Sequence, residues 1–267
     1  MPIRTPYPVN LISEDEFHDI DYQVMGLAFA VHNEMGRLWN ETIFRAELAD
    51  RCSKAGFKNV QQEAPIEISY QDFVKTLYVD LFLDHCALYE LKAVQKLTGK
   101  HFQQALTYLF LLGLQHGKLV NMRSASVKFQ FVSTRFTFEN RLDFFVDDRH
   151  WQEIDEDCVW LKKLMIALLQ DWGAYLDTSL FYEAIAHFRG GEANVVKEIE
   201  IKKGGATLGR QKIHMLNPKT AFKISAMTKD QENYEKHIRR FMSFTPLQAV
   251  QWINFNYHNI EFKTIRR

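Results

Sequence analysis

The chain has 267 residues, 46% of them hydrophobic and 25% charged, with 33 basic and 33 acidic side chains and no net charge. That composition excludes a disordered chain and a protein that coats nucleic acid by net charge alone. The length leaves room for two cores of ordinary size. The balance is uneven along the chain: residues 1–159 carry 16 Lys+Arg against 23 Asp+Glu, and residues 160–267 carry 17 against 10. An acidic half suits a metal and a basic half suits phosphate, although chance variation of surface charge gives the same division.

No run approaches the length of a membrane span, and the start, MPIRTPYPVNLISEDEF, lacks the apolar stretch of a secretion signal. The expected compartment is the cytoplasm. Cys52, Cys86 and Cys158 lie far apart, which suggests neither a disulfide framework nor a clustered metal site.

Apolar residues at helical spacing predict a helix over 17–35, stopped by Gly36, and a second over 41–55, closed by Gly56. Strands follow at 64–70, 75–83 and 87–94, the last two forming a hairpin around residues 83–86. A third helix runs over 100–112, then strands at 118–121 and 127–136. The order is α, α, β, β, β, α, β, β.

Sliding the chain by 133 places PIEI (65–68) on EIEI (198–201) and GLQHGKLVNM (113–122) on PLQAVQWINF (246–255). A shift of 137 pairs LAFAVHNEMG (27–36) with LMIALLQDWG (164–173), and ETIFRAEL (41–48) with TSLFYEAI (178–185). Identities are sparse, but order and apolar phase agree throughout. The expectation is a tandem duplication in an α/β chain, each copy a mixed sheet flanked by helices: one domain at 1–140, an Asp-rich connector, and a second domain at 155–267. The charged positions do not repeat. Glu90 falls on Lys223, Lys92 on Ser225, Glu41 on Thr178, and Asp80 on Ile213, or on His214 with one gap.

Asp80, Glu90 and Lys92 form D-x9-E-x-K across the hairpin. On a strand, i and i+2 share a face, so Glu90 and Lys92 point the same way. Two converging carboxylates suit Mg²⁺, held together with water and phosphate oxygens. A lysine beside them can orient or help deprotonate an attacking water and stabilise charge on phosphate, which is the equipment of metal-assisted phosphodiester hydrolysis. Gln104 and Tyr108 share a helix face, and Glu41 opens an earlier helix, where it is either a further carboxylate near the metal or an acid favoured by the helix dipole. KHIRRF, with Lys236, Arg239 and Arg240, is a basic helical patch for a phosphate backbone or a solvated face. GGATLG (204–209) reads as a hairpin turn, and Trp252 as core or as a base-stacking ring.

The segments AVHNEMG (30–36), LWNETIF (38–44), YVDLFLD (78–84), YELKAV (89–94) and QALTYL (104–109) resemble the GxxExxY proteins of the PD-(D/E)XK nuclease superfamily, over about residues 21–132. The resemblance implies a restriction-endonuclease-like fold with Mg²⁺ or Mn²⁺ on Asp80 and Glu90. It also implies Lys92 as the catalytic lysine, Glu41 as the glutamate of the name-giving motif, and Gln104 and Tyr108 as a Q-x-x-x-Y element like that of RecB-type nucleases. Leu38 stands where the motif has glycine, and Phe44 where it has tyrosine. The expected function is a metal-dependent nuclease on DNA or RNA, active in the first copy, with a degenerate second copy as clamp or internal pseudo-dimer partner. The competing class is a catalytically silent nucleic-acid-binding or regulatory protein of the same fold.

Overall fold

Ser13 and Glu16 cap each other reciprocally: the Ser13 hydroxyl accepts from the Glu16 N–H at 3.3 Å, and the Glu16 carboxylate accepts from the Ser13 N–H at 2.8 Å. Such a box satisfies two of the free donors at a helix start. In the computed structural model, which describes residues 3–135 and 138–267, it opens α1 (Glu14–Met35). Gly36, at φ 75°, closes that helix. Asn40 caps α2 (Glu41–Lys54) by accepting from the Ile43 N–H at 3.0 Å.

Contacts divide the chain into two units, Met1–Glu139 and Asn140–Arg267. The first runs through β1 (Ile3–Arg4), α1, α2, β2 (Val60–Tyr70), β3 (Phe73–Leu83), β4 (Ala87–Lys92), α3 (Gly99–Leu112), β5 (His116–Asn121) and β6 (Lys128–Ser133). Its six-stranded sheet has the order β1-β2-β3-β4-β5-β6, with β4 and β5 parallel and the other neighbours antiparallel. Leu81, Leu83, Tyr89, Leu91 and Val120 pack against Phe17, Val24 and Val31 of α1 and Phe44 and Leu48 of α2. Phe136, the end of the last strand expected in this half, lies outside the described residues.

The chain continues through α4 (Phe138–Leu142), β7 (Phe145–His150), α5 (Glu156–Trp172), α6 (Thr178–Phe188), α7 (Glu192–Val195), β8 (Val196–Lys203), β9 (Ala206–Asn217), β10 (Thr220–Ser225), α8 (Gln231–Ser243), β11 (Ala249–Asn256) and β12 (Asn259–Arg266). The second sheet has the order β7-β12-β11-β10-β9-β8. Here β10 pairs β11 in parallel, and β8–β9, β9–β10 and β11–β12 are antiparallel, the pattern that β2 to β6 follow in the first unit.

One detail recurs to the atom. Asn121, ending β5, accepts from the Val94 N–H at 3.1 Å and donates to the Val94 carbonyl at 2.8 Å. Asn254, on β11, does the same to Met227, at 2.9 Å in both directions. Each clamp holds the chain as it leaves the central parallel strand, where backbone groups would otherwise lack partners.

The Asp-rich stretch expected as connector contributes β7, parallel to β12 through Val146↔Ile260 and Asp147↔Glu261. Its charges suit an edge strand, whose outer side meets water. The GGATLG segment turns β8 into β9, with Gly204 and Gly205 at φ 57° and 86°, the two positive values a tight hairpin turn requires. No helix among the described residues is long and apolar enough to cross a membrane.

Candidate active site

The site forms where β3 parts from β4, beside a one-residue break in its ladder with β2. The β3–β4 ladder runs Leu83↔Ala87, Phe82↔Leu88 and Leu81↔Tyr89, and at the next position Asp80 Oδ2 accepts from the Leu91 N–H at 2.9 Å in place of a backbone partner. Toward β2, the register Gln62↔Leu81 and Ala64↔Val79 puts Glu63 opposite Asp80, in a left-handed turn of backbone with φ 49°. Leu81 and Leu91 enter the core beneath α1 and α2, so alternation turns Asp80, Glu90 and Lys92 to the other face of the sheet.

These three side chains converge. Lys92 Nζ lies 2.7 Å from Glu90 Oε1, 3.4 Å from Asp80 Oδ2 and 3.7 Å from Glu41 Oε1. Arg45, one turn beyond Glu41 on α2, reaches Asp80 Oδ1 at 3.1 Å and Glu63 Oε1 at 2.6 Å. Asp80, Lys92 and Arg45 are buried, and Glu90 is only 1% exposed.

Four carboxyl groups thus surround two cations, an excess of two negative charges once all four are ionised. Burial first, and then the Asp80 charge, push the Glu90 carboxyl up to about 8, only partly offset by Lys92. Burial also raises Glu41. Burial works against the Lys92 ammonium, but Glu90 and Asp80 outweigh it and hold its pKa above the ordinary value. Lys92 is therefore a firm cation here, suited to stabilising charge rather than to taking a proton.

The donor set fits a divalent cation. Glu90 Oε2 is buried with no hydrogen-bond partner, an orphaned acceptor of the kind that is costly unless an ion, proton or water meets it. A two-positive ion would balance the charge excess. Among the described residues no group of three His, Cys, Asp or Glu side chains is arranged as a metal site. Glu41 stands next to Lys92 instead of completing a triad of acids. Two carboxylates with water and phosphate oxygens are a usual Mg²⁺ set.

Gln104 Nε2 donates to the Tyr108 hydroxyl at 2.9 Å. Burial and then the Glu90 charge push the Tyr108 phenol up to about 12, which ties this pair electrostatically to the cluster. Lys236, Arg239 and Arg240 are exposed on α8 of the second unit. Arg239 is already committed: it pairs with Glu235 at 2.7 Å and donates to the Arg266 carbonyl at 3.1 Å. Trp252 is core, with its indole N–H on Ser225 Oγ at 2.8 Å.

Sequence reasoning passed over Arg45 and Glu63. The signal for Arg45 was its i+4 spacing from Glu41, which places both on one helix face. Glu63 gave no local signal, because only the strand register brings it opposite Asp80.

In the second unit the pairing Ala221↔Met215 stands where Leu88↔Phe82 stands in the first, at a shift of 133. That register puts Ile213 at the place of Asp80, Lys223 at Glu90 and Ser225 at Lys92. The N–H of Ile224, at the place of Leu91 in this register, has no aspartate to meet. It donates to the hydroxyl of Tyr182 on α6 at 2.7 Å, a residue that the shift of 137 sets on Arg45.

Neither a curated protein nor a solved structure matches the chain. A family model does: residues 18–134, the stretch that carries every member of the Asp80–Glu90–Lys92 cluster, match the PD-(D/E)XK nuclease superfamily.

Proposed function

We propose that the chain is a metal-dependent nuclease of the GxxExxY type that hydrolyses phosphodiester bonds of DNA or RNA in its first unit. The observation that carries this is the buried convergence of Asp80, Glu90 and Lys92 with an unpartnered Glu90 Oε2, on a segment that matches a nuclease superfamily. Asp80 and Glu90 would hold Mg²⁺ or Mn²⁺. When bound, such an ion supplies positive charge to the phosphate oxygens and acidifies water.

The chain's own groups have separable tasks. Lys92 presents an ammonium to the charge that builds on the phosphate. Arg45 fixes the Asp80 carboxylate from one side while the Leu91 N–H fixes it from the other. Tyr108, braced by Gln104, closes the site toward α3, and Glu41 holds Lys92 from the α2 side. The second unit is a degenerate copy of the fold and serves as clamp or internal partner. The recurring strand pattern and Asn clamps support the duplication, and Ile213, Lys223 and Ser225 support the loss of chemistry.

A pure binding protein would have no use for two buried acids and a lysine in excess negative charge. The test is a cleavage assay on single- and double-stranded DNA and on RNA, with Mg²⁺, Mn²⁺ or EDTA. The expectation is metal-dependent cleavage that falls by about 100-fold or more in Glu90→Gln and Lys92→Ala. Equal substrate loss in wild type and both variants would remove the enzyme reading.

A further inference from the structure

The second unit has a cavity of about 380 Å³ on the side of β9 and β10 that α8 covers. It lies where the first unit carries its acids: Ile213 and Lys223, at the places of Asp80 and Glu90, line it, as does Phe241, at the place of Tyr108. Tyr234 adds an aromatic wall, whereas the Phe222 ring turns to the other face of the sheet, against His214 and Tyr182, and Lys212 alternates to that face too.

The charge of the cleft has been inverted. Among the described residues, no Asp or Glu lines it. Lys223 is exposed, and no carboxylate is paired with it among the described residues. A place that suits a cation in one unit suits an anion in the other. The remaining walls are apolar: Ile213, Ala221, Ile238 and Val250, with two half-buried rings, Tyr234 and Phe241. The volume is at the small end of the range for ligand sites, about 300 to 1,000 Å³. It suits one planar group with one charged group, not a duplex.

We propose that this cavity is a nucleotide site, which takes one unit of a single strand with its base against Tyr234 and Phe241 and its phosphate on Lys223. Base stacking on aromatic rings and lysine contacts to phosphate are the two general components of single-strand binding. The choice of a nucleotide over another aromatic anion rests on the nucleic-acid reading above. The inverted charge and the rings stand without it.

The test uses the full chain in EDTA, with a fluorescein-labelled oligo-dT of twelve residues, and follows fluorescence anisotropy across a salt series. Lys223→Glu should weaken binding about ten-fold and flatten the plot of log affinity against log salt by about 0.7 for the phosphate that the variant no longer neutralises. Tyr234→Leu should weaken binding by about ten-fold at unchanged slope. Lys223 is a surface residue, so an unchanged thermal melt identifies folded protein. Wild-type affinity and slope in Lys223→Glu would overturn the site. So would wild-type affinity in Tyr234→Leu, which would leave only diffuse charge. Glu90→Gln should keep this binding while losing cleavage. An inactive wild type whose binding still depends on Lys223 and Tyr234 would sink the nuclease reading alone, and active cleavage with binding indifferent to both would sink the cavity alone.

Discussion

Leu91 and Ile224 occupy the same place in the two sheets, and each has a backbone N–H that the diverging strands leave without a ladder partner. In the first unit the acceptor is a carboxylate, Asp80, at 2.9 Å. In the second it is the Tyr182 hydroxyl, at 2.7 Å, which also donates to the Ile224 carbonyl at 3.1 Å. The fold demands an acceptor there, but not an acidic one. Chemistry and architecture are therefore separable at this point: the second unit meets the structural demand from a helix and frees the sheet position for isoleucine.

The sharpest break of this comparison is to give the first unit the second unit's residue. Lys92→Ser leaves Glu90, Asp80 and Glu41 facing one another with a cation removed. Breaking a buried pair in this way costs about 3–5 kcal/mol, to be read from urea unfolding of the metal-free protein at pH 9, where Glu90 would otherwise ionise. Ser225→Ala, at the matching place, removes a neutral hydroxyl that accepts from the Trp252 indole N–H and donates to Asn254 Oδ1 and should cost about 1 kcal/mol. Equal costs would mean that the cluster's charges are not coupled.

Next in size is the pH dependence that only the acidic unit should display. The Glu90 carboxyl lies at about 8 in the folded chain, against an ordinary 4.5. Between those values the folded state holds a proton that the unfolded state has released, so the contribution is fully present below 4.5 and is lost as pH rises through about 8. The loss should be on the order of 5 kcal/mol in EDTA, and Glu90→Gln should abolish it. Lys92, whose pKa is also raised, keeps its contribution throughout this window. Because an ion must displace that proton, Mg²⁺ affinity measured by calorimetry should rise with pH over the same interval. A flat stability profile in the wild type would contradict the burial argument.

A smaller effect probes the other side of the comparison. Tyr182→Phe leaves the buried Ile224 N–H without an acceptor and should cost about 1–2 kcal/mol in thermal or urea unfolding. It should leave cleavage intact. A neutral result would mean that water reaches that N–H.

Much of this was legible from local pattern. Periodicity with Gly36 and Gly56 as stops locates α1 and α2 to within a few residues, and D-x9-E-x-K marks the three residues that meet. What escaped notice depends on contacts distant in sequence. Strand β7, FVDDRH, carries too many charges to read as strand, and exists because β12 offers it a ladder. Arg45 shows in sequence only its i+4 spacing from Glu41, until Asp80 and Glu63 are seen beside it. The Arg239 charge reads as free until Glu235, one turn earlier on α8, is found beside it.

That last pairing makes the smallest prediction and the most discriminating one for the basic helix. Burial works against the Glu235 carboxylate, but Lys263 and Arg239 together hold it below the usual range. Arg239 therefore brings little net charge to a passing phosphate, whereas Lys236 and Arg240 are exposed on the same helix. In oligonucleotide binding at low salt, Arg240→Ala should weaken affinity by about two- to three-fold and flatten the salt slope by about 0.7. Arg239→Ala should change both by less. Glu235→Gln should steepen the slope, because it releases Arg239 toward the phosphates while Lys263 loses the same partner. If Arg239→Ala proves as damaging as Arg240→Ala, the ion pair opens on binding, and the helix then meets the strand through all three of its cations.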